Sequence, residues 1–311
     1  MSLSLRHNNS GDTAPGIIII DRYSGRQQQE QVVSERTLRW IYGTKLGELS
    51  LHALFKRAIL SRLIGYVKDS PLSTRSLPDF VRTYNINLDE VELPLHAYES
   101  FNAFFTRRLK PGARPVCPDP QLALPADGRH SAWQDASDLQ GGYIKGQRFD
   151  LPALLDDAEL AERYRRGGML ISRLAPVDYH RFHFVAAGLP EAPVYLPGPL
   201  ASVSPYCLRQ QLAWLWTNKR EMTLLHTETL GTVISIAVGA TGVGAIRQTY
   251  HPDRPVRKGD EQGYFAFGGS TVITLFEPGR IRFDADLLAN TAAGYETYAR
   301  QGDSLGTPAH T

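Results

Sequence analysis

Between about residue 115 and residue 287, glycine, proline and aspartate interrupt the chain so often that the apolar residues between them form only short runs. Runs of that length bounded by turn residues read as β-strands. One helix breaks the pattern. Asp150 can cap LPALLDDAELAERYRR, Pro152 sits in the first turn where proline is tolerated, and Gly167-Gly168 stops it. With 27 glycines and 20 prolines among 311 residues, the chain has the turn supply of a β-rich body rather than of a helical bundle. The reading is an α+β protein whose residues 115–311 form the β-rich part.

Ahead of that body the pattern differs. Residues 1–33 read as a loose tail with one short buried strand, IIIIDRYSG, that ends in a turn. Residues 34–114 are helical in character. Ser34 can cap ERTLRWIY, with Glu35 in the first turn where the helix dipole favours an acid. From Glu48 to Val67, Leu51, Leu54, Phe55, Ala58, Ile59 and Leu63 make a broad apolar face, with Lys56, Arg57 and Arg62 elsewhere on the helix. Such a helix either packs on the core with a solvated basic side or lies in a membrane interface. LPDFVRTYNI suggests one more short helix, and Phe101, Phe104 and Phe105 fall at helical spacing before Pro111-Gly112. Those aromatics are assigned to a core.

Composition excludes several classes. Apolar residues make 42% of the chain and charged residues 21%, ordinary values for a folded globular protein. A net charge of +2 gives no argument for nucleic acid as a partner. Cys117 and Cys207 stand far apart and outside any CxxC pattern, so a disulfide framework or zinc site is not expected and a reducing compartment fits best. No apolar run approaches the roughly 18 residues of a membrane-spanning helix, and the polar start MSLSLRHNNSGDTAPG lacks the apolar core of a secretory signal. Attachment to a membrane surface stays open.

Reactive groups concentrate in three places. LPADGRHS carries Asp127 before Gly128, which by itself is a turn signal. RLAPVDYHRFHF carries Asp178, His180 and His183. The histidines lack the HExxH helical pattern, and in a regular strand residues three apart face opposite ways, so both reach one pocket only if the chain bends. Each could equally be a satisfied structural histidine. The third place is GYFAFGGSTVITLF, residues 263–276, where Gly269 and Ser270 are wedged between two apolar runs that read as strands. A serine hydroxyl can attack its own preceding carbonyl and turn the amide into an ester, and a glycine before it leaves that approach open. Serine needs a base, most often a histidine oriented by an aspartate, and the other two places hold both. Taken alone, GGS is also an ordinary turn. Downstream, TVITLF, the turn at Glu277-Pro278-Gly279 and IRFDADL predict a hairpin.

Taken together and in order, FNAFFTRRLKPGARPV, PADG, KGQRFDLPALL, DYHRFHF, VGATGVGAI and KGDEQGYFAFGGSTV resemble the phosphatidylserine decarboxylases, over roughly residues 35–300. ERTLRWIYGTKLG and IGY are similar to the bacterial branch of that family, whose cleavage motif begins Gly-Gly-Ser; Gly268 stands where many members carry Leu.

The resemblance implies a proenzyme that cuts itself between Gly269 and Ser270 into residues 1–269 (β chain) and 270–311 (α chain), with Ser270 converted to an N-terminal pyruvoyl group. It implies that Asp127 orients His183, that His183 acts as base on Ser270 Oγ, and that His180 assists decarboxylation. The pyruvoyl ketone would take the substrate amine as a Schiff base and accept the electrons left by departing CO2, with no metal and no diffusible cofactor. The implied substrate is phosphatidylserine in an anionic membrane surface and the product phosphatidylethanolamine. The resemblance further implies a barrel-sandwich-like β body, a homodimer, and a peripheral place on the cytoplasmic side of the cell membrane. It moves the 48–67 segment toward membrane contact, where each basic residue contributes about 1 kcal/mol near an anionic surface. Three rival readings remain: a pyruvoyl decarboxylase of a soluble amino acid, an uncleaved lipid-binding protein that keeps the fold, and a serine hydrolase using the same Asp, His and Ser, against which stands the absence of a GxSxG elbow.

Overall fold

The computed structural model describes residues 17–30, 65–141, 149–203, 205–208, 212–240, 245–266, 268 and 270–309. The expected helix starting at Ser34, most of the 48–67 helix and Gly269 lie outside them.

Among the described residues sixteen strands follow one another in the order β1 (Ile18–Asp21), β2 (Gln27–Gln29), β3 (Leu122–Ala123), β4 (Gly128–Trp133), β5 (Met169–Leu174), β6 (Arg181–His183), β7 (Leu189–Pro190) and β8 (Val194–Leu196), then β9 (Arg220–Thr227), β10 (Gly231–Gly239), β11 (Ile246–Gln248), β12 (Glu261–Phe265), β13 (Ser270–Leu275), β14 (Ile281–Phe283), β15 (Glu296–Ala299) and β16 (Ser304–Pro308). A 10-stranded sheet runs β2-β1-β15-β4-β5-β13-β10-β9-β7, with β8 also on β9. Two 3-stranded sheets, β11-β12-β6 and β14-β16-β3, complete the body. The protein is α+β, and the large sheet is open: among the described residues no pairing joins its ends into a barrel.

Strand β13 lies deep in the large sheet. It pairs antiparallel with β10 on one side and β5 on the other, and all six of its positions are buried. A strand covered on both faces and both edges reads as a continuous apolar run, which is why TVITLF is legible in the sequence. The hairpin expected after it does not form. Strand β14 pairs with β16 in a different sheet, and the residues after Phe283 turn into a helix, Ala285–Ala292. The chain leaves β13 for another layer because both of its edges are already taken.

The helix expected over 151–166 is two helices, Leu151–Leu155 and Ala158–Tyr164. Asp156 adopts the left-handed conformation that ends the first, and the Asp157 side chain accepts from the Leu160 N–H to cap the second. The short helix Leu77–Tyr84 and the aromatic helix Phe101–Phe105 form where the sequence places them. Leu77, Val91, Tyr98, Phe101, Phe104 and Phe105 make a small core of their own. Arg181 joins that unit to the body by donating to the carbonyls of Thr106 and Arg107.

The Asp-Gly pair at 127–128 has a different purpose from the turn expected. Gly128 opens strand β4, and a Cβ there would stand 2.5 Å from the Arg173 carbonyl oxygen and 3.1 Å from its carbon. Only glycine lets the two backbones approach so closely. Gly128→Ala is therefore expected to lower stability by about 1–3 kcal/mol, read from urea unfolding at pH 7. A change below the error of the fit would show that the backbone yields without strain.

Candidate active site

Ser270 is the first residue of β13, fully buried, with Leu174 of β5 and Gly239 of β10 as its cross-strand partners. Just ahead of it Gly268 has φ of +140°, a conformation that L side chains rarely adopt. The sheet thus holds the serine while a glycine makes the approach to it.

His180 lies immediately before β6 and is buried completely. Its Nδ1 is 3.2 Å from Ser270 Oγ and its Nε2 is 3.0 Å from the carbonyl oxygen of Ala175. A carbonyl only accepts, so Nε2 carries the proton and Nδ1 is the acceptor for the serine hydroxyl. The ring of Phe105 stacks on the imidazole with centroids 3.8 Å apart. Ala175 is itself fixed, because its N–H donates to Asp178 Oδ2 at 2.7 Å and Asp178 pairs with Arg129. Burial drives the His180 pKa down to about 3, and the nearby Arg107 cation pushes the same way. The ring is neutral at physiological pH.

His183, at the end of β6, is also buried, yet its Nδ1 has no hydrogen-bond partner. Burial takes its pKa down to about 4, against the attraction of Glu261 and Asp127. The ring of Tyr179 lies 5.8 Å from it. His180 precedes the strand and His183 ends it; both are buried, His180 against Ser270 and Phe105 and His183 against Tyr179.

Asp127 is buried at the bend before β4. It differs from expectation in its partners. Arg114 Nε donates to Oδ1 at 2.9 Å and Oδ2 at 3.0 Å, Arg114 Nη2 donates to Oδ2 at 2.6 Å, and the Gln301 N–H donates to Oδ1 at 2.8 Å. The carboxylate is filled, and the expected Asp127–His183 hydrogen bond is not made. Nor does His183 touch Ser270 here; His180 holds that hydroxyl. Asp127 acts on His183 through its charge alone in this conformation. Arg114 and Phe105 were not singled out as site residues from the sequence, although both sit in FNAFFTRRLKPGARPV. Their signal was an arginine two residues after Pro111-Gly112 and an aromatic at helical spacing, and neither pattern points to a histidine or an aspartate far along the chain.

Among the described residues no group of three or more His, Cys, Asp or Glu is arranged to hold a metal ion. No described helix is long and apolar enough to cross a membrane.

The family model described as phosphatidylserine decarboxylase matches residues 101–307, which spans every side chain of this site. A phosphatidylserine decarboxylase proenzyme of Chlamydia trachomatis serovar L2 is 41% identical over 291 residues, 93% of this chain and 97% of its own length. The chain belongs to the phosphatidylserine decarboxylase family. Proenzymes of the same name from Chlamydia muridarum and Desulfitobacterium hafniense strain Y51 are 42% and 40% identical, covering 93% and 92% of this chain and 96% of each relative. The candidate site is thus built of the aromatic helix Phe101–Phe105, the bend before β4, the bend before β6, and the start of β13.

Burying neutral histidines has a consequence for acid stability. His130 and His180 are driven to about 3 and His183 to about 4, burial being the main cause in each. In the unfolded chain all three titrate near 6.5. Their folded pKa values are depressed, so below pH 6.5 the unfolded state takes up protons that the folded state refuses. Stability is therefore full above about pH 6.5 and falls as pH drops toward 4, by roughly 4 kcal/mol per pH unit once all three contribute. His130, which hydrogen-bonds Ser172 at 2.9 Å and touches no site residue, is the one to test. His130→Gln is expected to reduce the slope of unfolding free energy between pH 6 and 5 by about a third; an unchanged slope would mean that His130 is protonated in the native state.

Proposed function

We propose that this chain is a self-cleaving precursor that converts phosphatidylserine to phosphatidylethanolamine and CO2, using a pyruvoyl group made from its own Ser270. The observation that carries the reading is the Ser270 hydroxyl: buried, on a fixed strand, and donating to a neutral imidazole. Membership of the family supports it.

Cleavage needs Ser270 Oγ to attack the carbonyl carbon of Gly269. The hydroxyl proton goes to a ring nitrogen, the C–N bond breaks as the ester C–O bond forms, and the freed amine takes the proton. Loss of the Ser270 α-proton then breaks the Cβ–Oγ bond, releasing the Gly269 carboxylate as the end of residues 1–269. Water displaces ammonia from the remaining residue and leaves the pyruvoyl group at the head of residues 270–311. Once formed, that group supplies an electron-poor carbonyl that engages the substrate amine and accepts the electron pair left by CO2.

The two histidines divide the work by electrostatics. His180 touches the hydroxyl, but Arg107 and Arg129 oppose its protonated form, which the Ala175 carbonyl alone favours and no carboxylate does. His183 has an open Nδ1 and two carboxylates, Glu261 and Asp127, that favour its protonated form. We assign His183, with Asp127, as the base for cleavage, and His180 as the residue that orients the hydroxyl in the precursor. A change of the Ser270 side-chain rotamer transfers the hydroxyl between them. After cleavage the His180 Nδ1, released from the hydroxyl, takes a proton from solvent that enters with the substrate and passes it to the substrate α-carbon. Phe105 covers the imidazole face and keeps water from it.

The same reading takes residues 1–33 as a tail with a strand, 34–114 as a helical, membrane-contacting region and 115–311 as the catalytic body, working as a homodimer on the cytoplasmic membrane surface. Exposed Tyr66, Val67, Leu72 and Leu93 beside Lys68 and Arg75 support contact with an anionic bilayer.

Intact mass under denaturing conditions is expected to give two chains, the smaller beginning with pyruvoyl in place of Ser270; a single chain in fresh folded protein would sink the proposal. Ser270→Ala and His183→Ala should stay uncut. His180→Ala should be cut but lose decarboxylation by about 10²-fold or more. The reverse pattern, with His183→Ala cut and His180→Ala intact, would move the base role to His180. Removal of residues 34–68 is expected to abolish flotation with phosphatidylserine liposomes, and unchanged flotation would remove that region from the membrane contact.

A further inference from the structure

A cavity of about 320 Å³ has a wall that includes Arg107, Arg114, Asp127, Asp178, Tyr179 and Arg300; it reaches the site through Asp127 and through Val177 to Tyr179, the residues just before His180, and not through either histidine. Its carboxylates are engaged. Asp127 is taken by Arg114, Asp178 by Arg129, and Glu30 by Arg129 and Arg173. Glu90 pairs with Arg114 at 2.8 Å and reaches Arg300 only at 3.5 Å.

Two guanidinium groups are left with unspent donors. Arg107 is almost wholly buried, 5% exposed, and makes no ion pair among the described residues. Its Nη2 donates to the carbonyl oxygens of Val177 and Asp178 at 3.3 and 3.0 Å, and its Nε has no acceptor. Burial lowers its pKa, so the charge is poorly compensated. Arg300 is partly exposed, but its Nε is buried without an acceptor. A buried cation such as Arg107 with a free donor is expensive unless an anion completes it. Arg107 is also joined to the reacting side chains: it holds the carbonyls of the two residues at 177–178, just before His180, and it follows Phe105, which stacks on His180.

We propose that Arg107 and Arg300 form the subsite for the phosphodiester of the substrate headgroup, an inference that rests on the function proposed above. Two non-bridging oxygens sharing one negative charge match two guanidinium edges. The substrate carboxylate is the poorer candidate for this place. An arginine on it would stabilise the charge that decarboxylation must remove, favouring the ground state over the transition state. The phosphodiester charge is the same before and after the reaction, so binding it anchors the substrate without opposing chemistry.

Calorimetric titration of the full chain with glycerophosphoethanolamine, ethanolamine and inorganic phosphate tests this without turnover. Glycerophosphoethanolamine is expected to bind at least ten-fold tighter than ethanolamine to the unaltered protein. Arg107→Met should remove that advantage and Arg300→Gln should reduce it several-fold, while ethanolamine binds all three proteins alike. Equal binding of the two amines to the unaltered protein, or an undiminished advantage in Arg107→Met, would overturn the subsite. If Arg107→Met does not fold, Arg300→Gln decides in the same way. Inorganic phosphate that binds tighter than glycerophosphoethanolamine and resists displacement by it would make the site one for free phosphate and overturn the headgroup assignment. Because the titration reads binding, a chain found uncut by mass would defeat the proposed function while leaving this result legible on its own.

Discussion

Two-sided pairing of the strand Ser270–Leu275 is the constraint on which the rest depends. Strand β5 occupies one edge and β10 the other, and every side chain of the strand is buried. Serine is a poor nucleophile, and attack on the peptide bond just before it demands a fixed geometry that an exposed turn would not maintain. Here the proposed nucleophile is the first residue of β13, with ladder partners on both sides, and Gly268 two residues earlier has a φ of +140°. The same register sets Leu174 opposite Ser270, which delivers the following residues, Ala175 to His180, to the hydroxyl.

The chemistry then follows from how a buried site handles charge. His180, His183 and Ser270 are neutral and lie close to Arg107, Asp127, Asp178 and Glu261, which are not. Desolvation keeps both rings unprotonated, and the placement of the carboxylates decides which ring can accept a proton at smaller expense. Contact alone would select His180; the field favours His183 for the base role proposed above. Arg114 adjusts that field, because a guanidinium bound to both oxygens of Asp127 weakens the pull of the aspartate on His183. On the proposed mechanism, loosening the Arg114–Asp127 pair would strengthen the pull of Asp127 on His183.

What the sequence made legible was whatever depends on local pattern. The Phe101–Phe105 helix, the turn residues and the apolar run of β13 all announce themselves by periodicity or composition. The candidate residues Asp127, His180, His183 and Ser270 were also nameable, because motif order along the chain ties them together, and the structure brings them to one region. Pairing across layers was not legible. TVITLF and IRFDADL look like a hairpin because they are adjacent, but the first already has both edges occupied and the second joins a different sheet. Gly128 reads as half of a turn, when its need is the Arg173 carbonyl 2.5 Å from where a Cβ would be. Arg114 could not be matched to Asp127 by spacing, since the pair closes across a loop with no periodic signal.

The chain on both sides of the proposed cut builds one buried electrostatic unit. Arg173 binds Glu30 and Glu296 together, and Arg129 binds Glu30 and Asp178. Glu296 belongs to residues 270–311, as does Gln301, whose N–H holds Asp127. Breaking one partner of such a buried pair costs about 3–5 kcal/mol, since the other charge is left uncompensated. Strand β15, inserted between β1 and β4, adds ladder pairing to the same end. Cutting before Ser270 removes one covalent bond but none of these contacts, so separation of the pieces would expose every one of them at once. The aspartate that acts on His183 is held by a backbone donor from the later piece, so the fragment that carries the new N-terminus also keeps the base in order. A precursor built this way can be severed next to its reactive residue and remain one folded protein.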